Sequence, residues 1–284
     1  MTFVTRFAPS PTGPLHLGHA FSALTAYDWA QAHHAKFHLR IEDIDRQRSK
    51  QNWEIQIYDD LAWLGITWSA PVMRQSDRQA QYDAALQDLW SRGLLYPCTC
   101  NRKDILAAAS APQEGDGVTY GPDGIVYPGT CRTQSDRTGA MPRDVALRLD
   151  MSRALATTAN DTFRFTESTD PQPVEFTRAD LLSSVGDIVV SRKVFLASYH
   201  LSVVLDDSAQ GITHVIRGAD LREATKIHVV LQSLLNIAPP IYHHHRLIRD
   251  DAGKRLAKRD DARAISLYRT EGASPKEIRA LVGL

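Results

Sequence analysis

The first 93 residues alternate between strand-like and helix-like segments, and this order restricts the fold more than any other feature. Residues 2–7 alternate in pattern and are rich in β-branched and aromatic side chains, as a strand is, and residues 36–43 form a second such segment. Apolar residues at helical spacing follow over residues 20–32, 52–65 and 78–93. This order predicts an α/β fold with a doubly wound, Rossmann-like parallel sheet.

Length and composition are those of an ordinary globular protein. The chain has 284 residues, 43% hydrophobic and 23% charged, and no apolar run approaches the roughly 18 residues of a membrane span. We therefore expect no membrane association, and a cytoplasmic location because the N-terminus lacks the apolar core of a signal peptide. Lys+Arg and Asp+Glu number 33 each, which argues against a protein that coats long nucleic acid. A local basic patch is still possible, since residues 246–263 hold seven Lys or Arg and four Asp.

The sequence pattern predicts four successive parts. Residues 1–96 form the first half of the Rossmann-like domain, and residues 177–240, where strand-like alternation returns at 187–195 and 211–218, form its second half. Residues 97–176 hold the cysteines and many glycines with one short helical stretch, which indicates an insertion. Residues 241–284 hold the basic segment and a short helical C-terminal part, in which SPKE at 274–277 has the spacing of a capping box.

Residues 8–20, APSPTGPLHLGHA, connect the first strand to the first helix. Proline-rich turns into helices are common, so a rigid turn with incidental histidines is one interpretation. The other is a phosphate or nucleotide site, because a helix N-terminus presents unpaired N–H groups and a partial positive charge. Gly13 and Gly18 let a ligand approach the backbone, and His16 and His19 share a face from which both can donate to phosphate oxygens.

The segment RFAPSPTGPLHLGHA closely resembles the signature loop of the glutamyl branch of class I aminoacyl-tRNA synthetases. The resemblance implies that His16, Gly18 and His19, at the position of the family's HIGH sequence, bind the phosphates of ATP. The two histidines would stabilise the charge that develops on the α-phosphate during catalysis. Mg²⁺ is expected to accompany the nucleotide.

A second segment, GKRLAKRD at residues 253–260, is similar to the other signature of this class, KMSKS. By itself the segment could be a solvated basic loop. Behind an HLGH loop, the resemblance implies that Lys258 takes part in catalysis and holds the ATP phosphates as a point charge. Arg255 replaces a lysine of the family form and Ala257 a serine, so positive charge is retained and one hydroxyl is lost.

Glutamate has two carboxylates and one ammonium group, so its pocket needs two cations and one anion. Arg6 and Arg217 end predicted strands and fit the carboxylates, whereas Glu42 ends another strand and fits the ammonium. Strand C-termini form the edge at which such sheets bind ligands. Because the family's motifs match at those positions and at two neutral donors, the resemblance implies five glutamate-binding residues: Arg6, Ser10, Glu42, Tyr199 and Arg217.

The insertion holds all three cysteines, which could be free thiols or ligands of a metal. No histidine occurs between His38 and His200, so a tetrahedral zinc site here would need an oxygen donor or water as its fourth ligand. Some members of the glutamyl branch carry Cys-x-Cys followed by Tyr-x3-Cys at this point. That resemblance implies a structural zinc ion on Cys98, Cys100, Tyr127 and Cys131.

The acceptor of the activated glutamate follows from the resemblance and from chain length. Only 25 residues follow Arg259, where a discriminating glutamyl-tRNA synthetase continues with an anticodon-binding part. The chain is similar to members of the branch that lack this part and transfer glutamate to the queuosine base of tRNA(Asp). The resemblance implies ATP, L-glutamate and a queuosine-containing tRNA(Asp) anticodon stem-loop as partners, and we expect a monomer. Two alternatives stay open: a truncated glutamyl-tRNA synthetase that charges the tRNA 3′ end, and a non-catalytic tRNA- or nucleotide-binding module.

Overall fold

The computed structural model describes residues 2–110, 118–133, 135–193, 197–249 and 263–284. The first half of the chain forms a parallel sheet in the order β1-β2-β3, with strands β1 (Val4–Phe7), β2 (Lys36–Ile41) and β3 (Ser69–Arg74). Its helices are α1 (Leu17–Ala32), α2 (Gln51–Trp63) and α3 (Gln79–Ser91). These elements confirm an α/β fold with a parallel sheet. Within the described ranges, no helix combines the length and apolar character that a membrane span needs.

Strand β3 has no counterpart in the sequence prediction. Its sequence, SAPVMR, contains Pro71, and proline cannot donate a backbone hydrogen bond to a neighbouring strand. β3 pairs with β2 alone and so lies at the edge of its sheet, where a missing donor is tolerated. Its side chains are half-buried or exposed, so no apolar alternation marks the strand.

The insertion is built from short antiparallel strands. β4 (Leu95–Cys98) pairs with β7 (Ala146–Leu149), and two hairpins are formed by β5 (Tyr120–Gly121) with β6 (Gly124–Ile125) and by β8 (Thr162–Phe165) with β9 (Val174–Thr177). The helices of this part are α4 (Arg102–Ala109), α5 (Met151–Ala156) and α6 (Arg178–Asp180). Strand β10 (Val189–Ser191) completes the antiparallel sheet in the order β10-β7-β4.

Strand β10 differs from the prediction for residues 187–195. The sequence places a strand there in the second half of the parallel sheet, but β10 is shorter and pairs antiparallel with β7 of the insertion. Apolar alternation indicates that a segment is a strand, but not its partner or its direction. The boundary expected at residue 176 therefore crosses one antiparallel sheet. Residues 194–196 lie outside the described residues.

The second half adds a parallel pair of strands beside β1. Its elements are α7 (Tyr199–Ala209), β11 (His214–Gly218), α8 (Thr225–Leu234) and β12 (Ile241–His245). The Thr213 N–H donates to the Val4 carbonyl at 3.0 Å, and the Val4 N–H donates to Thr213 Oγ1 at 2.9 Å. The strands therefore follow the order β3-β2-β1-β11-β12, and the C-terminal ends of β1 and β11 border the same cavity.

The described C-terminal residues form α9 (Ile265–Thr270) and α10 (Pro275–Val282). The predicted capping box is confirmed: Ser274 Oγ accepts from the Glu277 N–H at 3.3 Å, and the Glu277 carboxylate accepts from the Ser274 N–H at 2.7 Å. Helix α10 packs against α1, where Arg279 donates to both carboxylate oxygens of Asp28 at 2.7 and 2.8 Å. Ile278 is buried in the apolar core of the first half.

Candidate active site at the strand ends

The HLGH residues form the first turn of α1. His16 is the N-cap residue: its Nδ1 accepts from the Gly18 N–H at 3.1 Å, and His19 Nδ1 accepts from the His16 N–H at 3.1 Å. Because both Nδ1 atoms accept, each neutral ring carries its hydrogen on Nε2. A Cβ atom on Gly18 would lie only 3.0 Å from the His16 ring, so glycine leaves room for this arrangement. The turn thus sets the tautomer and position of both rings.

A cavity of about 590 Å³ borders this turn and the ends of the parallel strands. Its volume is within the range of small-molecule sites. Every described residue that the sequence predicts for glutamate or ATP lines it: Arg6, Ser10, His16, Gly18, His19, Glu42, Tyr199 and Arg217. The structure therefore brings together the HLGH loop and residues that lie up to 200 positions further along the chain.

Four charged side chains form a buried cluster at β1 and β2. Arg6 Nε lies 3.0 Å from Asp207 Oδ1, and Arg40 Nη1 lies 2.6 Å from the same oxygen. Arg40 Nη2 donates to Glu42 Oε1 at 3.2 Å. Two guanidinium groups and two carboxylates balance one another, which is what allows charged groups to be buried.

The two carboxylates of this cluster differ in their pKa. Burial would raise the pKa of Asp207, but Arg6 and Arg40 outweigh that effect and hold it below its usual range. For Glu42, burial is the stronger influence and raises the pKa, although Arg40 and Arg6 oppose it. A further positive charge beside Glu42 would therefore favour its ionised form.

Arg217 also lines the cavity, but its partners are uncharged. Its guanidinium donates to His244 Nε2 and His228 Nδ1, both at 3.2 Å, and to Thr225 Oγ1 at 2.7 Å. It lies 5.1 Å from the centre of the Tyr242 ring. Burial lowers the pKa of both histidines, for His244 to about 4, so both rings are neutral near pH 7. Among the described residues Arg217 forms no ion pair, so a ligand carboxylate can still compensate its charge.

Tyr199 supplies a neutral group at the same cavity. It is the first residue of α7, whose N-cap residue Ser198 accepts from the Leu201 N–H at 3.4 Å. The residue is 36% exposed, and desolvation by the surrounding protein raises the pKa of Tyr199 above its usual value. Its phenol is therefore protonated near pH 7 and can donate a hydrogen bond to a ligand.

Most of the basic segment after β12 lies outside the described residues. This concerns residues 250–262, which include the predicted phosphate-binding Lys258 and the two departures from the family form, Arg255 and Ala257. Both flanks are described. Residues 246–248 line the cavity, and Ala264 forms an antiparallel bridge with His16. Both flanks of the segment therefore lie beside the HLGH turn.

The predicted zinc ligands converge in the insertion. The Sγ atoms of Cys98, Cys100 and Cys131 all lie within 4.8 Å of one another. The Tyr127 hydroxyl oxygen lies 3.5 Å from Cys98 Sγ and 3.3 Å from Cys100 Sγ. A tetrahedral zinc ion with Zn–S bonds of about 2.3 Å separates its sulfur ligands by about 3.8 Å. The spacing and the donor types therefore fit a zinc ion with three thiolates and one oxygen.

Comparison with known proteins identifies the family. The family described as tRNA synthetases class I (E and Q), catalytic domain, matches residues 2–284. The chain belongs to this family. It is 60% identical over 282 residues to a glutamyl-Q tRNA(Asp) synthetase of Rhodobacter capsulatus, covering 99% of this chain and 100% of the relative. A second glutamyl-Q tRNA(Asp) synthetase, from Geobacter sulfurreducens, is 38% identical over 273 residues, covering 94% and 78% of the two chains.

A solved structure agrees with this assignment at the level of the fold. A glutamate-tRNA synthetase from Elizabethkingia anophelis superimposes with a TM-score of 0.77 at 24% identity. The match covers 100% of this chain and 61% of that synthetase, so this chain spans about three fifths of its length. The class I synthetase fold and the family resemblance inferred from the HLGH loop are both confirmed.

Sequence reasoning missed several residues that hold the predicted ones in this synthetase fold. Asp207 binds Arg6 from a position 201 residues away, and no local pattern connects the two. Arg148 of β7 donates to Cys98 Sγ at 3.3 Å and lies 3.9 Å from the centre of the Tyr127 ring. Its positive charge would offset the negative charge of cysteine thiolates in this cluster. Only the pairing of β4 with β7 places it there.

Proposed function

We propose that the protein activates L-glutamate with ATP and transfers it to the queuosine base in the anticodon of tRNA(Asp). The observation that carries the proposal is a single cavity in which Arg6, Arg217 and Glu42 lie beside the HLGH turn. The full-length relative that is 60% identical is named a glutamyl-Q tRNA(Asp) synthetase, which supports the acceptor. We place this activity in the cytoplasm and assign it to a monomer.

Charge complementarity accounts for the choice of glutamate. Arg217, whose described acceptors are uncharged, binds one carboxylate through a charge-assisted contact from its remaining N–H group. Arg6 binds the other carboxylate, and Glu42 binds the ammonium group, whose positive charge favours the ionised form of Glu42. Ser10 and Tyr199 contribute neutral hydrogen bonds. Glutamine lacks the second carboxylate and cannot satisfy an arginine in the same way.

The HLGH turn suits the formation of an adenylate. A glutamate carboxylate oxygen bonds to the α-phosphorus of ATP while the bond to pyrophosphate breaks. The Nε2–H groups of His16 and His19 donate to phosphate oxygens on which charge develops, and Gly18 leaves space for them. Lys258 contributes a positive charge, and Mg²⁺ enters with ATP as part of the substrate. A queuosine hydroxyl then attacks the activated carbonyl carbon, and AMP leaves.

Two assays test activation and transfer separately. Exchange of labelled pyrophosphate into ATP should depend on glutamate, with glutamine as the matched control amino acid that supports far less exchange. Labelled glutamate should then attach to an isolated anticodon stem-loop that contains queuosine, but not to the same stem-loop with guanosine. Labelling only at the 3′ end of intact tRNA would favour a truncated glutamyl-tRNA synthetase. Absence of exchange would favour a binding module.

We also propose that Cys98, Cys100, Tyr127 and Cys131 hold a structural zinc ion. Bound there, the metal would cross-link the two ends of the segment that contains the β5–β6 hairpin. Elemental analysis of protein purified without chelators should find about one zinc ion per chain in the wild type and almost none in Cys131→Ser. Wild-type protein without stoichiometric metal would contradict this assignment while leaving the glutamate proposal intact.

A further inference from the structure

Two chains of polar contacts lead away from the Arg217 guanidinium, made of hydrogen bonds except for the last link of the second, a 3.4 Å contact between His200 and Asp123. In the first, which we call the Glu167 relay, Arg217 Nε donates to His244 Nε2 at 3.2 Å. His244 Nδ1 lies 2.5 Å from Glu167 Oε2, and the His244 backbone N–H donates to Glu167 Oε1 at 3.0 Å. Glu167 follows β8 and is 5% exposed. The Arg217 side chain is thus linked through one ring to a buried carboxylate.

The second chain, the Asp123 relay, passes through two histidines. Arg217 Nη1 lies 3.2 Å from His228 Nδ1, and His228 Nε2 lies 3.2 Å from His200 Nδ1. His200 Nε2 lies 3.4 Å from Asp123 Oδ1. Both histidines are buried, whereas Asp123 lies in the turn of the β5–β6 hairpin and a third of its side chain is exposed. This relay connects the substrate cavity with the cysteine-containing part of the insertion.

The guanidinium fixes the direction of hydrogen-bond donation along both relays. Arginine has only donors, so the ring nitrogens of His228 and His244 that face it must accept. Each neutral ring then carries its hydrogen on the opposite nitrogen, which donates to the next group. Every link is satisfied only if each relay ends at an acceptor, and both end at a carboxylate. Those carboxylates, Glu167 and Asp123, both belong to the insertion predicted over residues 97–176.

We propose that Glu167 and Asp123 are positioning residues that act through the histidines to aim Arg217 at the substrate carboxylate. The inserted segment thereby sets the affinity for glutamate and its preference over glutamine. This inference rests on the proposed function, in which Arg217 binds a carboxylate. A carboxylate in direct contact would orient the guanidinium equally well, but it would also neutralise the charge that the ligand needs. An intervening neutral ring provides orientation and leaves that charge in place.

The experiment measures KM for glutamate, KM for ATP and kcat in pyrophosphate exchange by the full chain. Glu167→Gln should raise KM for glutamate about tenfold, because the buried His244 loses a charged acceptor. Asp123→Asn should raise it about threefold, since water partly screens this carboxylate. KM for ATP should stay within about twofold in both variants, and selectivity for glutamate over glutamine should fall. Glu175→Gln and Asp144→Asn, exposed carboxylates of the same insertion, are the matched controls.

The KM values of the relay variants and their controls distinguish a positioning role of Glu167 and Asp123 from a general loss of structure. If Glu167→Gln does not fold, Asp123→Asn provides the test of the inference, because a substitution in this hairpin turn should leave the fold intact. Relay variants that match their controls in KM for glutamate and in selectivity would overturn the inference while leaving the proposed function standing. An equal rise in both KM values would also overturn it, because that result indicates a loosened fold. Wild-type protein without glutamate-dependent exchange would overturn the proposed function and this inference together.

Discussion

Arg6 and Arg217 are equally buried, each with 6% of its surface exposed, but the groups around them differ in charge. Arg6 shares the carboxylate of Asp207 with Arg40, in a cluster whose charges balance without any ligand. Arg217 is surrounded by neutral acceptors and an aromatic ring. Arg6 therefore has a charged partner within the protein before any ligand carboxylate reaches it, whereas the described groups around Arg217 leave its charge uncompensated.

Because of this difference, substitutions within one cavity should affect either folding or substrate binding. Removing the partner of Arg6 leaves buried charges unpaired and should act mainly on folding. Removing Arg217 itself takes away no ion pair of the described protein and should act mainly on substrate binding. Variants of Asp207 and Arg217 should show this division, and Asp60, another buried carboxylate, extends it.

The largest effect on stability is expected at Asp207. Asp207→Asn removes the carboxylate that Arg6 and Arg40 share, leaving Glu42 as the described carboxylate in direct contact with Arg40, and should lower the free energy of unfolding by about 3–5 kcal/mol at pH 7. The pKa of Asp207 is lowered in the folded protein, so its contribution is present above 3.8 and is lost as the pH falls through the lower folded value. Urea unfolding at pH 7 and below pH 4 should show the difference between variant and wild type shrinking in acid.

The neighbouring Asp206 provides a control, because it is a buried and ion-paired carboxylate that lies outside the cavity. It is also buried, and it pairs with Arg78 at 2.6 Å and accepts from the Tyr82 hydroxyl at 2.8 Å, outside the cavity. Asp206→Asn should also lose stability, but its KM for glutamate should remain that of the wild type. If Asp207→Asn has wild-type stability and only its substrate binding changes, the division proposed for the two arginines is wrong.

A smaller effect, on substrate rather than on folding, is expected at Arg217. Arg217→Gln removes a charge-assisted partner of a carboxylate and should lower kcat/KM for glutamate by a factor that corresponds to about 2–4 kcal/mol. Its midpoint of urea unfolding should change less than that of Asp207→Asn. Arg222→Gln, an exposed arginine five positions along the chain, is the matched control. Activity within about threefold of the wild type would mean that Arg217 has a structural role.

The smallest effect, and one of opposite sign, is expected at Asp60. This carboxyl is 1% exposed, its Oδ2 has no hydrogen-bond partner in the described chain, and burial raises its pKa from 3.8 to about 6. A raised folded pKa means that stability is greatest below the unfolded value and is lost as the pH rises through the folded one. Asp60→Asn should therefore stabilise the protein by about 1–3 kcal/mol at pH 7.5.

The pH dependence distinguishes this effect from an unrelated gain in packing. The stabilisation by Asp60→Asn should diminish between pH 6 and 3.8, because the wild-type carboxyl becomes protonated there. Asp59→Asn changes the adjacent, exposed carboxylate and should be nearly neutral throughout. A gain of equal size at pH 4 and pH 7.5 would refute the assignment to a buried charge.

The parts of the site that sequence could predict are those fixed by local pattern. Arg6 and Glu42 end predicted strands, and the HLGH residues begin a helix, so the general rule for parallel sheets places them at one edge. Asp207 and His228 come from helices α7 and α8, whose orientation toward the cavity depends on packing between distant parts of the chain. The sequence near these two residues carries no signal of an arginine partner.

The fold shows the same limit. Gly65 and Gly93, with φ of +79° and +68°, end α2 and α3 where the sequence predicts helix ends, because glycine adopts that conformation without strain. The pairing of β10 with β7 could not be predicted in this way, because it depends on which strand edge lies nearest to β10 in three dimensions. Strand β12, IYHHH, was missed because three successive histidines do not show apolar alternation.

The packing of α10 against α1 also has a consequence for how the protein is made. The ion pair of Arg279 with Asp28 joins residues 251 positions apart, and Ile265 and Ile278, both fully buried, share a core with Leu24. A nascent chain leaves the ribosome N-terminus first, so α1 emerges long before the helices that cover it. The part of the α1 surface that α9 and α10 cover therefore cannot be buried by them until nearly the whole chain has been made.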